Sequence, residues 1–176
     1  MPILGIDNGL DGGLCLLSDI GNLPPIRKAP MPTRKIAGRS KDGVKKEKRE
    51  VDPMGILEAL RWHKGPSDDL LVVIEKPLKG AYNIGINCVI SLSISFGIIY
   101  GVCVSRGYRV VTVEAKDWQG RMLGKIPKGE TKQFALALAL KLWRGENWKA
   151  TTRSTTAHDG VVDACLIAED ARRRRP

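Results

Sequence analysis

Four carboxylates stand where a folded chain does not ordinarily leave a charge. Glu75 closes LLVVIE, a run of apolar and β-branched residues that reads as a strand buried on both faces. Asp7 closes PILGID in the same way. Asp159 and Asp163 lie four apart in HDGVVDACLIA, so on a helix both project from one face near its N-terminal end, a face otherwise apolar through Leu166 and Ile167. Each acid has an ordinary explanation: Asp7 as a turn residue before Asn8-Gly9, Asp159 as a helix cap, Asp163 as half of a salt bridge. Together they point to something more specific, because an enclosed charge without a partner is strongly unfavourable. If the strands ending at Asp7 and Glu75 are parallel neighbours, their ends meet on one edge of a sheet. A closing helix packed across that edge completes the set.

Four carboxylates in a small space cannot all stay ionised without a cation. All-oxygen ligation selects Mg²⁺, with Mn²⁺ able to substitute. Two ions bridged by a shared aspartate would activate a water and stabilise the leaving oxygen in phosphodiester cleavage. Asp7, Glu75, Asp159 and Asp163 are therefore read as both metal ligands and catalytic groups.

The elements that must position them are legible in outline. The chain of 176 residues is long enough for one domain with a real core, and 43% hydrophobic residues fit a globular protein. PILGID reads as a strand, Asn8-Gly9 as a turn and GGLCLLS as the antiparallel partner. Residues 24–50, rich in proline and lysine, read as one or two short strands around a mobile basic loop. Asp52-Pro53 caps a helix through MGILEALRWH. LLVVIE, a helix within 84–105, the strand YRVVTV, the helix GETKQFALALALKLW and a closing helix from His158 follow, in the order β-β-β-α-β-α-β-α-α. That is an α/β domain with a mixed sheet. The four cysteines, Cys15, Cys88, Cys103 and Cys165, lack metal-binding spacing and sit in apolar runs, which predicts buried free thiols in a reducing compartment. MPILGID enters a strand directly, so no export signal is expected and the protein is read as intracellular and soluble, in a bacterial or phage-infected cytoplasm or an organelle.

Charge is concentrated. Between Arg27 and Glu50 ten basic residues face three acidic ones, and Arg172 to Arg175 add four more, which together exceed the whole net charge of +10. A basic segment and a basic tail on an otherwise neutral chain favour a polyanionic partner over a generally basic surface. Lys45, Lys46, Lys48 and Arg49 are the candidate contacts. Conversely, the 26 residues from Gly80 to Ser105 carry no charge. The stretch is long enough to span a bilayer, but its asparagines, serines and glycines fall on several faces and its basic flanks give no orientation signal. A helix with one face on the sheet and the other on a second copy of the chain is the better reading.

ILGIDNGLDGGL, VVIEKP and HDGVVDACLIA, in that order and spacing, resemble the RuvC-type Holliday junction resolvases of the RNase H-like superfamily, particularly their phage and plant-organelle members. The likeness runs from residue 3 to about 170. It implies a five-stranded mixed sheet of three antiparallel and two parallel strands flanked by helices, a homodimer, and Mg²⁺-dependent symmetric nicking of four-way DNA junctions. The family's first-strand Asp corresponds to Asp7, its later strand Glu to Glu75, and its last-helix Asp to Asp163. Many bacterial members place the partner acid or His three residues before that last Asp, where this chain has Gly160. Asp159 is the nearest substitute and His158 its competitor. The resemblance also places Lys132 and Lys116 where lysines are implicated in cleavage; near two metals such a group would hold the scissile phosphate. Lys76 and Lys128 are candidate phosphate contacts, and Trp118 and Tyr82 candidates for stacking on opened bases, although for Trp118 packing against a helix competes. Three other readings compete. An actin-like kinase needs a second domain that 176 residues cannot supply. A general RNase H-like nuclease on hybrids or flaps shares the acid set. A non-cleaving junction binder would have a broken one.

Overall fold

The computed structural model describes residues 1–20, 23–39, 45–77 and 85–174. Its central sheet has the order β3-β2-β1-β6-β7, formed by Arg27–Pro30, Gly13–Leu17, Ile3–Asp7, Leu71–Glu75 and Arg109–Val113. β1 pairs antiparallel with β2, and β2 with β3; β1 pairs parallel with β6, and β6 with β7. The expected five-stranded mixed sheet is present, with two antiparallel and two parallel pairs. Because β1 belongs to both halves, pairs describe the sheet better than the expected division into three and two strands.

Two cores sandwich the sheet. On one face Ile3, Leu71, Val73 and Val113 pack with α3 (Ala115–Leu123), α4 (Thr131–Leu142) and α5 (Asp159–Arg173). On the other, Leu4, Ile6, Val72 and Ile74 pack with α1 (Pro53–Leu60) and α2 (Ile86–Ser105). This alternation along β1 and β6 is the period of two expected of strands covered on both faces. The α3 helix is absent from the order read from sequence; its single buried residue, Trp118, leaves too short an apolar pattern to announce a helix.

Glycine sets how closely α5 lies on the sheet. A Cβ on Gly5 would fall 2.2 Å from the Ala164 carbonyl oxygen, and one on Gly160 would fall 2.4 Å from the Asp11 carbonyl and Gly12 Cα. Gly12 and Gly160 form a parallel bridge at this contact. The glycine that departs from the bacterial pattern thus occupies a site with no room for a side chain.

Several expectations are corrected. Cys15 and Cys165 are joined as a disulfide between β2 and α5, with Cα atoms 5.0 Å apart, because the two elements pack directly together. Of the remaining thiols Cys103 is buried and Cys88 is exposed. The segment read as strands around a loop forms β3 plus a separate hairpin of β4 (Thr33–Arg39) and β5 (Lys45–Val51), paired from Thr33↔Val51 to Arg39↔Lys45; positions 40–44 lie outside the described residues. The tail arginines pair with acids of their own helix. Arg172 and Arg173 pair with Glu169, and Arg174 with Asp170, acids that are 4% and 2% exposed. Two buried carboxylates at the end of α5 need those cations; Arg175 lies outside the described residues.

In α2 the ridge through Ser95, Ile99 and Cys103 is buried, with Phe96 partly buried beside it. Ile86, Ile90, Ile94 and Val104 are exposed. By length and composition this helix could cross a membrane, yet one side of it seals the second core.

Gly5→Val should destabilise the fold by at least about 3 kcal/mol, because the β1–α5 contact cannot yield without parting two backbones. Urea unfolding measures this; a loss below about 1 kcal/mol would show that the seam can relax.

Candidate active site

Asp7 and Glu75 meet because β1 and β6 are parallel and in register. The ladder pairs Ile3 with Leu71 and Ile6 with Ile74, so one further step sets Asp7 beside Glu75. Their parity matches that of Ile3, Leu71 and Val73, which face α5, so both acids end on the α5 side. Asp7 Oδ1 accepts the Gly9 N–H at 3.2 Å, an Asx-type contact that fixes the side chain at the start of the turn. Asp159 and Asp163 lie in the first turns of α5. With Asp7, Gly12, His158 and Lys132 they line a cleft of about 730 Å³ that reaches Arg49 of β5 and Ser91 and Leu92 of α2.

The acids perturb one another. Burial raises the Asp7 carboxyl above its ordinary range against the lowering effects of the Gly9 bond and nearby His158. Burial and then the charge of Asp7 raise Glu75 to about 7, opposed by its bond from Trp118. Burial, followed by the charges of Asp7, Glu75 and Asp159, raises Asp163 to about 8. Glu75 and Asp163 therefore retain protons where free carboxylates do not. Among the described residues, no three acid, histidine or cysteine side chains converge into a ready-made ion cage. The fit to a cation is one of donor chemistry: a hard divalent ion would replace the protons that proximity otherwise imposes.

The flanking residues sort clearly. Lys132 lines the cleft, and its Nζ lies 2.6 Å from Asp159 Oδ2, a contact that holds the ammonium cationic. His158 caps α5 by accepting the Val161 N–H on Nδ1 at 3.3 Å. Both His158 and Asp159 line the cleft at the start of α5. Lys116 is a correction. It is exposed, pairs with Glu114 at 3.2 Å and does not line the cleft, because α3 turns it along the helix surface. Trp118 is another. It is fully buried, and its indole N–H donates to Glu75 Oε2 at 2.6 Å, so it cannot stack on a base. Tyr82 lies outside the described residues.

Of the basic candidates, Arg49 is nearest the chemistry: it pairs with Asp11 at 2.7 Å and lines the cleft. Lys48 lines an adjoining groove of about 560 Å³ between the hairpin and α2. Lys45 and Lys46 lie opposite Arg39 and Gly38 on the hairpin. Lys76 follows β6, its backbone N–H bonded to Val113, and Lys128 is exposed in the turn before α4; neither lines the cleft. The sequence reading missed Arg121, which grips Asp170 through two bonds of 2.7 and 2.8 Å and fastens α3 to α5. No periodic signal marks such a pair.

No family model matches the sequence, and no curated protein matches it. Solved structures do. The Thermus thermophilus RuvC structure superposes with a TM-score of 0.55 at 13% identity, covering 97% of this chain and 92% of that one. T. thermophilus RuvC in complex with Holliday junction substrate gives 0.56 over the same shares, also at 13% identity. The fold is that of RuvC. The yeast mitochondrial Holliday junction resolvase Ydc2 is also similar, with a TM-score of 0.47 at 14% identity over 97% of this chain and 77% of that one. The likeness to RuvC covers 97% of the chain.

The raised carboxyls make stability depend on pH. Glu75 and Asp163 hold protons in the folded state up to about 7 and 8, against ordinary values of 4.5 and 3.8. Between those limits the folded state binds more protons than the unfolded one, so metal-free stability falls as pH rises. The melting temperature should drop from pH 5 to 8.5. Asp163→Asn should blunt that drop and raise the value at pH 8 by about 3 °C or more. An Asp163→Asn protein that melts below wild type at pH 8 would contradict the electrostatic account.

Proposed function

We propose that the protein is a structure-selective endonuclease that resolves four-way DNA junctions, as a homodimer, by symmetric nicks through divalent-cation-dependent phosphodiester hydrolysis. The observation that carries this reading is the convergence of Asp7, Asp159 and Asp163 in one cleft, with Glu75 beside Asp7 at the neighbouring parallel strand end and with the Glu75 and Asp163 carboxyls raised by burial and by their acidic neighbours. The RuvC-like fold supports it, and one RuvC structure of that fold is a complex with Holliday junction substrate.

In this reading Asp7, Glu75, Asp159 and Asp163 hold two Mg²⁺ ions, or Mn²⁺ in their place. When bound, the ions polarise the scissile phosphate and lower the pKa of an attacking water. The chain's own groups do the rest. Lys132, kept beside Asp159, is placed to balance charge on the phosphate. Arg49, steadied by Asp11, offers a second cation on the hairpin side of the cleft. Lys48 and the other hairpin cations extend that contact along the backbone.

Two matched nicks need two sites, and among the described residues one chain carries a single cluster of acids at the cleft. The outward face of α2 supports a two-fold pair. Ile90 and Ile94 are exposed there, and Gly97 and Gly101 have open space where a Cβ would stand. Glycine inside a helix costs about 1 kcal/mol relative to alanine, and two of them one turn apart let a partner helix approach closely.

With Mg²⁺ present, the protein should cut a four-way junction in symmetric pairs and leave flaps and RNA–DNA hybrids whole. Asp7→Asn, Glu75→Gln, Asp159→Asn and Asp163→Asn should each lower nicking by at least about 100-fold, a barrier raised by roughly 2.7 kcal/mol, while junction binding persists. Preferential cutting of hybrids or flaps would replace this reading with a general RNase H-like nuclease; binding without any cutting would leave a junction-binding protein.

Ile94→Asp should give a folded monomer that nicks singly. Phe96→Asp is unsuitable for that purpose, because Phe96 packs on the core side of α2. Light scattering decides the matter: a wild-type monomer at micromolar concentration that still resolves junctions would remove the dimer from the proposal.

A further inference from the structure

Trp118 makes an unusual use of its one polar atom. It is fully buried on the α5 side of the sheet, and its indole N–H donates to Glu75 Oε2 at 2.6 Å. Two neighbours in the same core, Trp143 and Trp148, are also buried, yet their Nε1 atoms have no partner among the described residues. Burial in this core therefore does not by itself oblige an indole to find a bond. The indole that has one is bonded to the strand-final acid beside Asp7.

The helix that carries Trp118 is itself tied down. Arg121, one turn later on α3, holds Asp170 of α5 through two bonds of 2.7 and 2.8 Å. One turn of α3 thus grips both β6, through Glu75, and α5, the helix that supplies Asp159 and Asp163. A carboxylate at a strand end has two free side-chain torsions beyond its first. A short bond from a donor fixed by packing removes that freedom and engages one oxygen, which leaves Oε1 for a ligand.

We infer that Trp118 is a positioning residue for Glu75, held by its buried indole N–H bond, and that it sets the affinity of the acid cluster for divalent cations. The inference rests on the cation-binding reading of that cluster given above. It adds a requirement that the acids alone do not state: the indole N–H, not merely an aromatic ring of similar bulk.

The test is Mn²⁺ binding to the DNA-free protein, followed by titration calorimetry for wild type, Trp118→Phe and Trp143→Phe. Trp143→Phe is the control for aromatic volume lost from the same core, because its N–H is unpartnered. Trp118→Phe should bind Mn²⁺ about 10- to 100-fold more weakly, and Trp143→Phe should bind as wild type does. If Trp118→Phe fails to fold, the wild-type protein still answers by NMR, with indole N–H signals assigned by elimination from phenylalanine variants of Trp62, Trp143 and Trp148. The Trp118 indole signal should move on Mg²⁺ addition while those of Trp143 and Trp148 stay in place. Equal Mn²⁺ affinity in wild type and Trp118→Phe, tighter binding in Trp118→Phe, or a Trp118 signal indifferent to Mg²⁺ would each overturn the inference. Wild-type protein that binds no Mn²⁺ would instead overturn the cation site itself, and this inference with it.

Discussion

Everything at the site depends on how closely α5 lies against β1 and β2. That contact is backbone on backbone. Gly5, Gly12 and Gly13 on the sheet side meet Gly160, Val161, Ala164 and Ala168 on the helix side, at distances a Cβ would not permit. Larger residues would lift α5 away from the sheet, and Asp163 would leave the neighbourhood of Asp7. The disulfide between Cys15 and Cys165 crosses the same seam. The price of this closeness is a row of small residues with little apolar surface of their own, so α5 draws its hold on the fold from Val162, Leu166 and Ile167.

The same helix treats its acids in two ways. Glu169 and Asp170, near its C-terminal end, are buried and matched by Arg121, Arg172, Arg173 and Arg174. Asp163, near its N-terminal end, is surrounded by other acids, with Lys132 the cation that lowers its pKa. The tail arginines up to Arg174 thus belong to the fold's own charge balance, and among the described residues the cluster of acids at the other end does not reach such a balance. That contrast within one element is a stronger argument for an ionic ligand than the acids taken singly, because the chain demonstrably supplies cations where a buried carboxylate is only structural.

The hairpin of β4 and β5 gives the concentrated positive charge a shape. It is a two-stranded ribbon outside the main sheet, tied by Arg49 to Asp11 at the β1–β2 turn. Of its cations, Arg49 lines the cleft and Lys48 the adjoining groove. On the other side α2 presents an apolar outward face across from the ridge it uses to seal the second core.

The sequence by itself determined the strand-final acids, the i, i+4 pair on the last helix and the strands of the main sheet. Those features rest on periodicity and on the ends of apolar runs, which are local and survive in a single sequence. Tertiary structure alone decided the rest: the partner of Trp118, the engagement of the tail arginines, the pairing of Cys15 with Cys165, the exclusion of Lys116 from the cleft and the face of α2 that points outward. Each of these depends on which elements come together across long stretches of chain. Local pattern does not encode that, because a buried tryptophan reads the same whether its N–H meets a carboxylate or nothing, and an arginine run reads the same whether it awaits DNA or neutralises its own helix.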